Sequence, residues 1–116
     1  MKSVKSVEQS REEAVELCLF AENDSRCYRN YLVPAFKNQQ RHYDKNLEKG
    51  VESNFDLTVL LFTHTMKLCA QEYCRQHGSP TVKWHEVFDV LTRIYAARHF
   101  AEYFVAEYKA GNRWEI

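Results

Sequence analysis

Residues 55–78 read FDLTVLLFTHTMKLCAQEYCRQHG, and this stretch decides the fold. On a helical projection its core-forming positions fall into two stripes: Leu57, Leu60, Leu61, His64 and Leu68 on one side, Phe62, Met66, Cys69 and Tyr73 on the other. One stripe about 100° wide seats a surface helix, so two stripes predict a central helix covered by partners on both sides. Asp56 is the expected N-cap and Gly78 the stop, with Pro80 just beyond, which sets the helix at 56–77.

Upstream, a first helix is expected from Ser3 or Ser6 to about Glu22, with Ser10-Arg11-Glu12-Glu13 resembling a second capping signal. Asp24 then offers an N-cap for a second helix over 25–49, carrying Tyr28, Leu32, Phe36, Tyr43 and Leu47, with a gap at the polar Gln39-Gln40. Pro34 lies inside it and predicts a kink near 31–34, or a division into two helices there. Gly50 reads as its C-cap.

Downstream, residues 79–88 predict a turn and a short helix with Val82, Trp84, Val87 and Phe88 as packing residues. Asp89 caps a last helix over 90–109 with a broad apolar arc, closed by Gly111 and followed by a tail bearing Trp114 and Ile116. No stretch alternates with period two long enough to make a strand. The expectation is an all-α single domain over 1–116: a compact bundle of four main helices plus one short one, the last helix being the central helix's main partner.

Composition narrows the function classes. Lys plus Arg and Asp plus Glu number 16 each, so no global field attracts nucleic acid or an anionic membrane. No apolar run approaches the ~20 residues needed to span a bilayer, and the N-terminal residues do not read as a signal peptide. These features lead us to expect a soluble, intracellular protein in which Cys18, Cys27, Cys69 and Cys74 are reduced thiols.

Catalytic and metal signatures are sparse. Cys69 and Cys74 project about 140° apart on a helix, while Cys74 and His77 share a face that His85 could approach. That is a thin basis for zinc, and no metal or cofactor is expected. His64 lacks a neighbouring nucleophile or orienting acid and reads as a core histidine.

Two surface readings remain. Lys37, Arg41 and Lys45 recur at four-residue spacing, with Arg26 and Arg29 earlier and Tyr28, Tyr31, His42 and Tyr43 nearby, a pattern that suits phosphate contacts with base stacking. Aromatic residues also exceed what a four-helix core needs. Tyr31, Phe100, Tyr103, Phe104 and Trp114 are therefore candidate protein-interface residues, self-association being the simplest use.

The order Tyr28-Arg-Asn-Tyr-Leu-Val-Pro-Ala-Phe-Lys-Asn38, Phe55-Asp56, Glu72-Tyr73, His77-Gly78, Lys83-Trp-His-Glu-Val-Phe88, Arg93 and Ala96-Ala97 resembles a group of small, largely uncharacterised accessory proteins of tailed bacteriophages. The similarity covers residues 26–108. It implies a phage-encoded accessory protein in the host bacterial cytoplasm and assigns no chemistry. The leading expectation is thus a non-enzymatic protein that binds a host or phage protein, inhibition of a host or defence enzyme being one form of that role. Nucleic-acid binding through the basic face of helix 25–49 is the alternative.

Overall fold

The computed structural model describes residues 5–78 and 83–115, which form five helices and no strand. Helix α1 spans Val7–Asn23; α2 covers 25–49; α3 is Phe55–His77; α4 is the short Trp84–Val87; and α5 is Val90–Lys109. The all-α bundle is as expected, while Ser3, Pro80, Val82 and Ile116 lie outside the described residues.

Local chemistry sets most boundaries. Ser6 accepts from the Gln9 N–H at 3.1 Å, Asp24 from Cys27 at 2.9 Å and Asp89 from Thr92 at 2.9 Å, each satisfying an N–H that the helix start leaves unpaired. Two capping expectations are corrected. Asn54, not Asp56, caps α3, accepting from the N–H groups of Asp56 and Leu57, which leaves Asp56 in the first turn where the helix dipole favours an acid. Ser10 is no cap either, since the helix already starts at Ser6 and carries Ser10 into the interior.

Gly50 adopts a left-handed φ of 67°, bonding Leu47 O while Val51 N bonds Asn46 O. This Schellman pair closes α2 at a position where a Cβ would strain the backbone.

Pro34 does not divide α2. Residues Ser25–Cys27 are α-helical, Tyr28–Leu32 form one wide π turn in which the Val33 N–H bonds Tyr28 O, and Val33–Lys49 continue as α-helix. The wider turn accommodates a residue that lacks an N–H and whose ring would crowd the preceding carbonyls.

α3 packs most extensively on α5, as expected, and α1 also lies on α5. Ala70 of α3 and Ala96, Ala97 and Ala101 of α5 are fully buried, so small side chains sit at the heart of the core. Rings fill the space around them. Phe36, Phe62, Phe100 and Phe104 are buried in one cluster, with Tyr43 edge-on to Phe104 at 5.0 Å.

The tail then turns back across this cluster. The Trp114 ring stacks on Phe36 at 4.7 Å and Phe104 at 5.5 Å, and its backbone N–H and C=O both bond the buried Gln40 amide, at 2.7 and 2.8 Å. Beside it, Arg113 lies 3.9 Å over the Tyr108 ring, whose hydroxyl donates to Asp44.

One expectation about α3 fails. The stripe of Phe62, Met66, Cys69 and Tyr73 faces the core, but Leu57, Leu60 and His64 of the other stripe are exposed, with Leu61 and Leu68 half-buried at its edge. The chain measures 52 × 27 × 18 Å. Its thinnest dimension has room for two layers of helix about 10 Å apart, so no third layer among the described residues covers the far side of α3. His64 is accordingly a surface residue and not a core histidine.

Candidate functional site

The outer face of α3 exposes a stripe of leucines to water. Leu57 and Leu60 are 63% and 65% exposed, far above what a core helix would leave to water. Thr63, half-buried beside the patch, turns its hydroxyl onto Val59 O at 2.8 Å, while Thr58 and Thr65 are buried on the core side and bond Asn54 O and Leu61 O at 3.2 and 3.3 Å. Below His64 the face becomes polar at Gln71 and Arg75.

The patch sits on a firm base. Tyr43 OH and Thr58 Oγ1 share a hydrogen bond of 2.7 Å, and Asn46 donates to Ser53 at 2.9 Å, tying α2 to the loop before α3. A polar hollow of about 220 Å³ lies beside Leu57, lined by Gln39, His42, Asn46 and Asn54 among others. Lys67 and Arg93 both approach the Trp84 ring, at 5.7 and 4.8 Å from its centre, which seats α4 against α3 and α5.

The aromatic residues expected at an interface are placed differently. Phe100 and Phe104 are buried core residues, and Trp114 is stacked on that core, so none of the three is a free anchor. Tyr31 is half-buried, and Tyr103 is the most exposed of the set at 47%, though its ring still lies 5.7 Å from Phe36. The surplus of rings is largely absorbed by the tail's return.

The basic residues of α2 are partly committed. Arg26 lies 3.8 Å from the buried Glu72, and Arg29 donates to Ser25 O. Arg41 and Lys45 are exposed and Lys37 half-buried, with no ion pair to any of the three among the described residues. Tyr43 offers no stacking platform, its ring being packed on Phe104 and Tyr108.

Glu72 is the buried acid that sequence reasoning missed. Arg75 grips both its oxygens and, against the cost of burial, holds its carboxyl below the usual range, with Gln76 and Arg26 assisting. Gln76 also bonds Asp24, so the cluster fastens the α1–α2 turn to the end of α3. The signal in the sequence was the i,i+3 pair of Glu72 and Arg75.

Metal and thiol chemistry find little here. Among the described residues no group of three or more His, Cys, Asp or Glu could hold a metal ion; His77 stacks on Tyr73 at 4.4 Å and His85 sits edge-on to Trp84. Burial pushes the Cys18 thiol up to about 12, a hydrogen bond with Cys27 and burial raise Cys69, and burial raises Cys74. All four thiols are buried, so the native protein is expected to react slowly with the disulfide reagent DTNB and to label fully only in denaturant. Native labelling at the rate of a free cysteine would show that the α1–α3 core opens readily.

No helix among the described residues is long and apolar enough to cross a membrane. No protein-family model matches the chain, and no curated protein or solved structure is significantly similar to it.

Proposed function

We propose that this protein is a non-enzymatic binding protein that docks another protein on the outer face of α3. The observation that supports this reading is the exposed pair Leu57 and Leu60, continued by Leu61 and Leu68, on a helix whose opposite face holds the core. Burying a leucine contributes about 1.5–3 kcal/mol, so a patch of this kind gains most from an apolar protein surface or the apolar stripe of a helix. The resemblance of residues 26–108 to phage accessory proteins supplies the setting: a host or phage partner in a bacterial cytoplasm, with inhibition of a host or defence enzyme as one outcome of docking.

The test is capture of partners from bacterial lysate by the tagged protein, with and without nuclease, beside the variant Leu57→Asp/Leu60→Asp. Both positions are exposed, so the variant is expected to keep its thermal midpoint within a few degrees and to lose a nuclease-resistant partner. Retention of that partner by the folded variant would remove α3 from the interface. A second reading rests on Lys37, Arg41 and Lys45, which have no ion pair among the described residues: partners lost on nuclease treatment would move the function to that basic face.

A further inference from the structure

We infer that the polar hollow between α2 and α3 is a carboxamide subsite, taking a glutamine or asparagine side chain of the protein docked on α3; this rests on that docking reading. Gln39 lines the hollow, is 8% exposed, and makes no hydrogen bond with any described residue. Burying a carboxamide without partners costs free energy, so the unpaired amide points to a group from outside the chain. The next residue shows what such a group takes. Gln40, also buried, uses both ends of its amide on Trp114, accepting from the N–H at 2.7 Å and donating to the C=O at 2.8 Å.

The other walls set the chemistry of the incoming group. Among the described residues no aspartate, glutamate, lysine or arginine lines the hollow, so an ion entering it would lose water and gain no counter-charge. His42 is the one lining group that protonation would charge, and it stands exposed to water. Tyr43 and Thr58 are bonded to each other at 2.7 Å. Asn54 engages its carbonyl oxygen with the Asp56 and Leu57 N–H groups, which leaves its NH2 to donate. Asn46 gives an N–H to Ser53 and keeps its carbonyl to accept. Free donors and free acceptors thus stand together without charge, and the group that matches both is itself a neutral amide.

Place and size select the source. The hollow opens beside Leu57, at the edge of the leucine stripe, so a segment laid over Leu57 and Leu60 brings its own side chains to the opening. At about 30 Å³ for each water-sized group, its volume of about 220 Å³ admits about seven such groups, enough for a glutamine side chain. A helical partner keeps its backbone amides bonded within the helix, and only side-chain carboxamides remain to enter.

The experiment is an NMR titration of the full chain, labelled with nitrogen-15, with propionamide as the glutamine side-chain analogue. Propionate and N-methylacetamide, which mimic a carboxylate and a peptide group, are titrated beside it. The expected result is saturable movement of the Gln39 and Asn54 side-chain NH2 signals by propionamide, at least about tenfold tighter than by either comparison. Gln39→Leu is expected to abolish the response while keeping or raising the unfolding midpoint, because it removes a buried amide that has no bond within the fold.

Absence of any propionamide response, as for a hollow that holds only water, overturns the subsite and leaves the docking reading standing. Equal binding of propionate or N-methylacetamide overturns the carboxamide assignment. A lowered midpoint in Gln39→Leu does so too, since the amide would then be paired within the fold. The source is read on the partner that Leu57→Asp/Leu60→Asp loses, and Gln39→Leu is expected to weaken that complex about tenfold. Unchanged affinity there overturns a partner-borne side chain. If no partner depends on Leu57 and Leu60, the docking reading fails by itself, and a propionamide response then belongs to a free ligand and overturns the source.

Discussion

Phe104→Ala is expected to lower the folding stability by about 3–5 kcal/mol, the range for deleting a large aromatic side chain from a packed core. Phe104 has no exposed surface, and its ring meets Tyr43 from α2, Phe62 from α3, Tyr108 from its own helix and Trp114 from the tail. No one helix can relax into the space, because the four rings around it belong to four different segments. Domains of this size are stable by about 5–15 kcal/mol, so the loss is a large share of the whole. Denaturant unfolding reads it as a lower midpoint with an unchanged slope. The adjacent Tyr103→Ala is expected to cost much less, since that ring is nearly half exposed. Equal costs at the two positions would mean that the inward face of α5 is misplaced.

The contrast between these neighbours shows where sequence reasoning reached its limit. Capping chemistry is local, and so Ser6, Asp24, Gly50 and Asp89 could be read directly as helix boundaries. Periodicity correctly divided α3 into two stripes and correctly grouped Phe62, Met66 and Cys69. It could not say that only one stripe would be covered, because that depends on the number of helix layers, a property of the whole chain. The same gap concealed the candidate site. Leu57 and Leu60 look like core residues in sequence and become a surface only when the bundle stops at two layers.

Distance along the chain explains the other misplacements. Gln39 and Gln40 appear as a polar interruption of the α2 stripe, yet both are buried, and the acceptor and donor that satisfy Gln40 lie at residue 114. Without that partner a buried amide is costly, so sequence reasoning places it outside. Phe100, Phe104 and Trp114 read as an interface patch only if the tail is free. Once the tail crosses the groove between α2 and α5, these rings pack on one another. The proposed interface rests instead on the exposed leucines of α3, which an aromatic count does not see.

Trp114→Ala is therefore expected to act on stability, by about 2–3 kcal/mol, less than full burial of the ring would give because Trp114 is only partly covered. The ring's stacking on Phe36 and Phe104 and the two backbone bonds to Gln40 hold the same segment, so they should not act independently. Gln40→Leu leaves the Trp114 N–H and C=O without partners and is expected to cost about 1–3 kcal/mol. The double variant should cost less than the sum, since once the strap has left the groove there is little more for the second change to remove. Detachment also frees Arg113 from Tyr108 and Asp44, so trypsin should cut after Arg113 faster in either single variant than in the wild type. An unchanged unfolding midpoint in Trp114→Ala, with unchanged cleavage, would mean that the strap is not seated in solution. The α2–α5 groove, with Phe36 and Phe104 at its floor, would then be an open aromatic surface, and the interface first read from the sequence would return in place of α3.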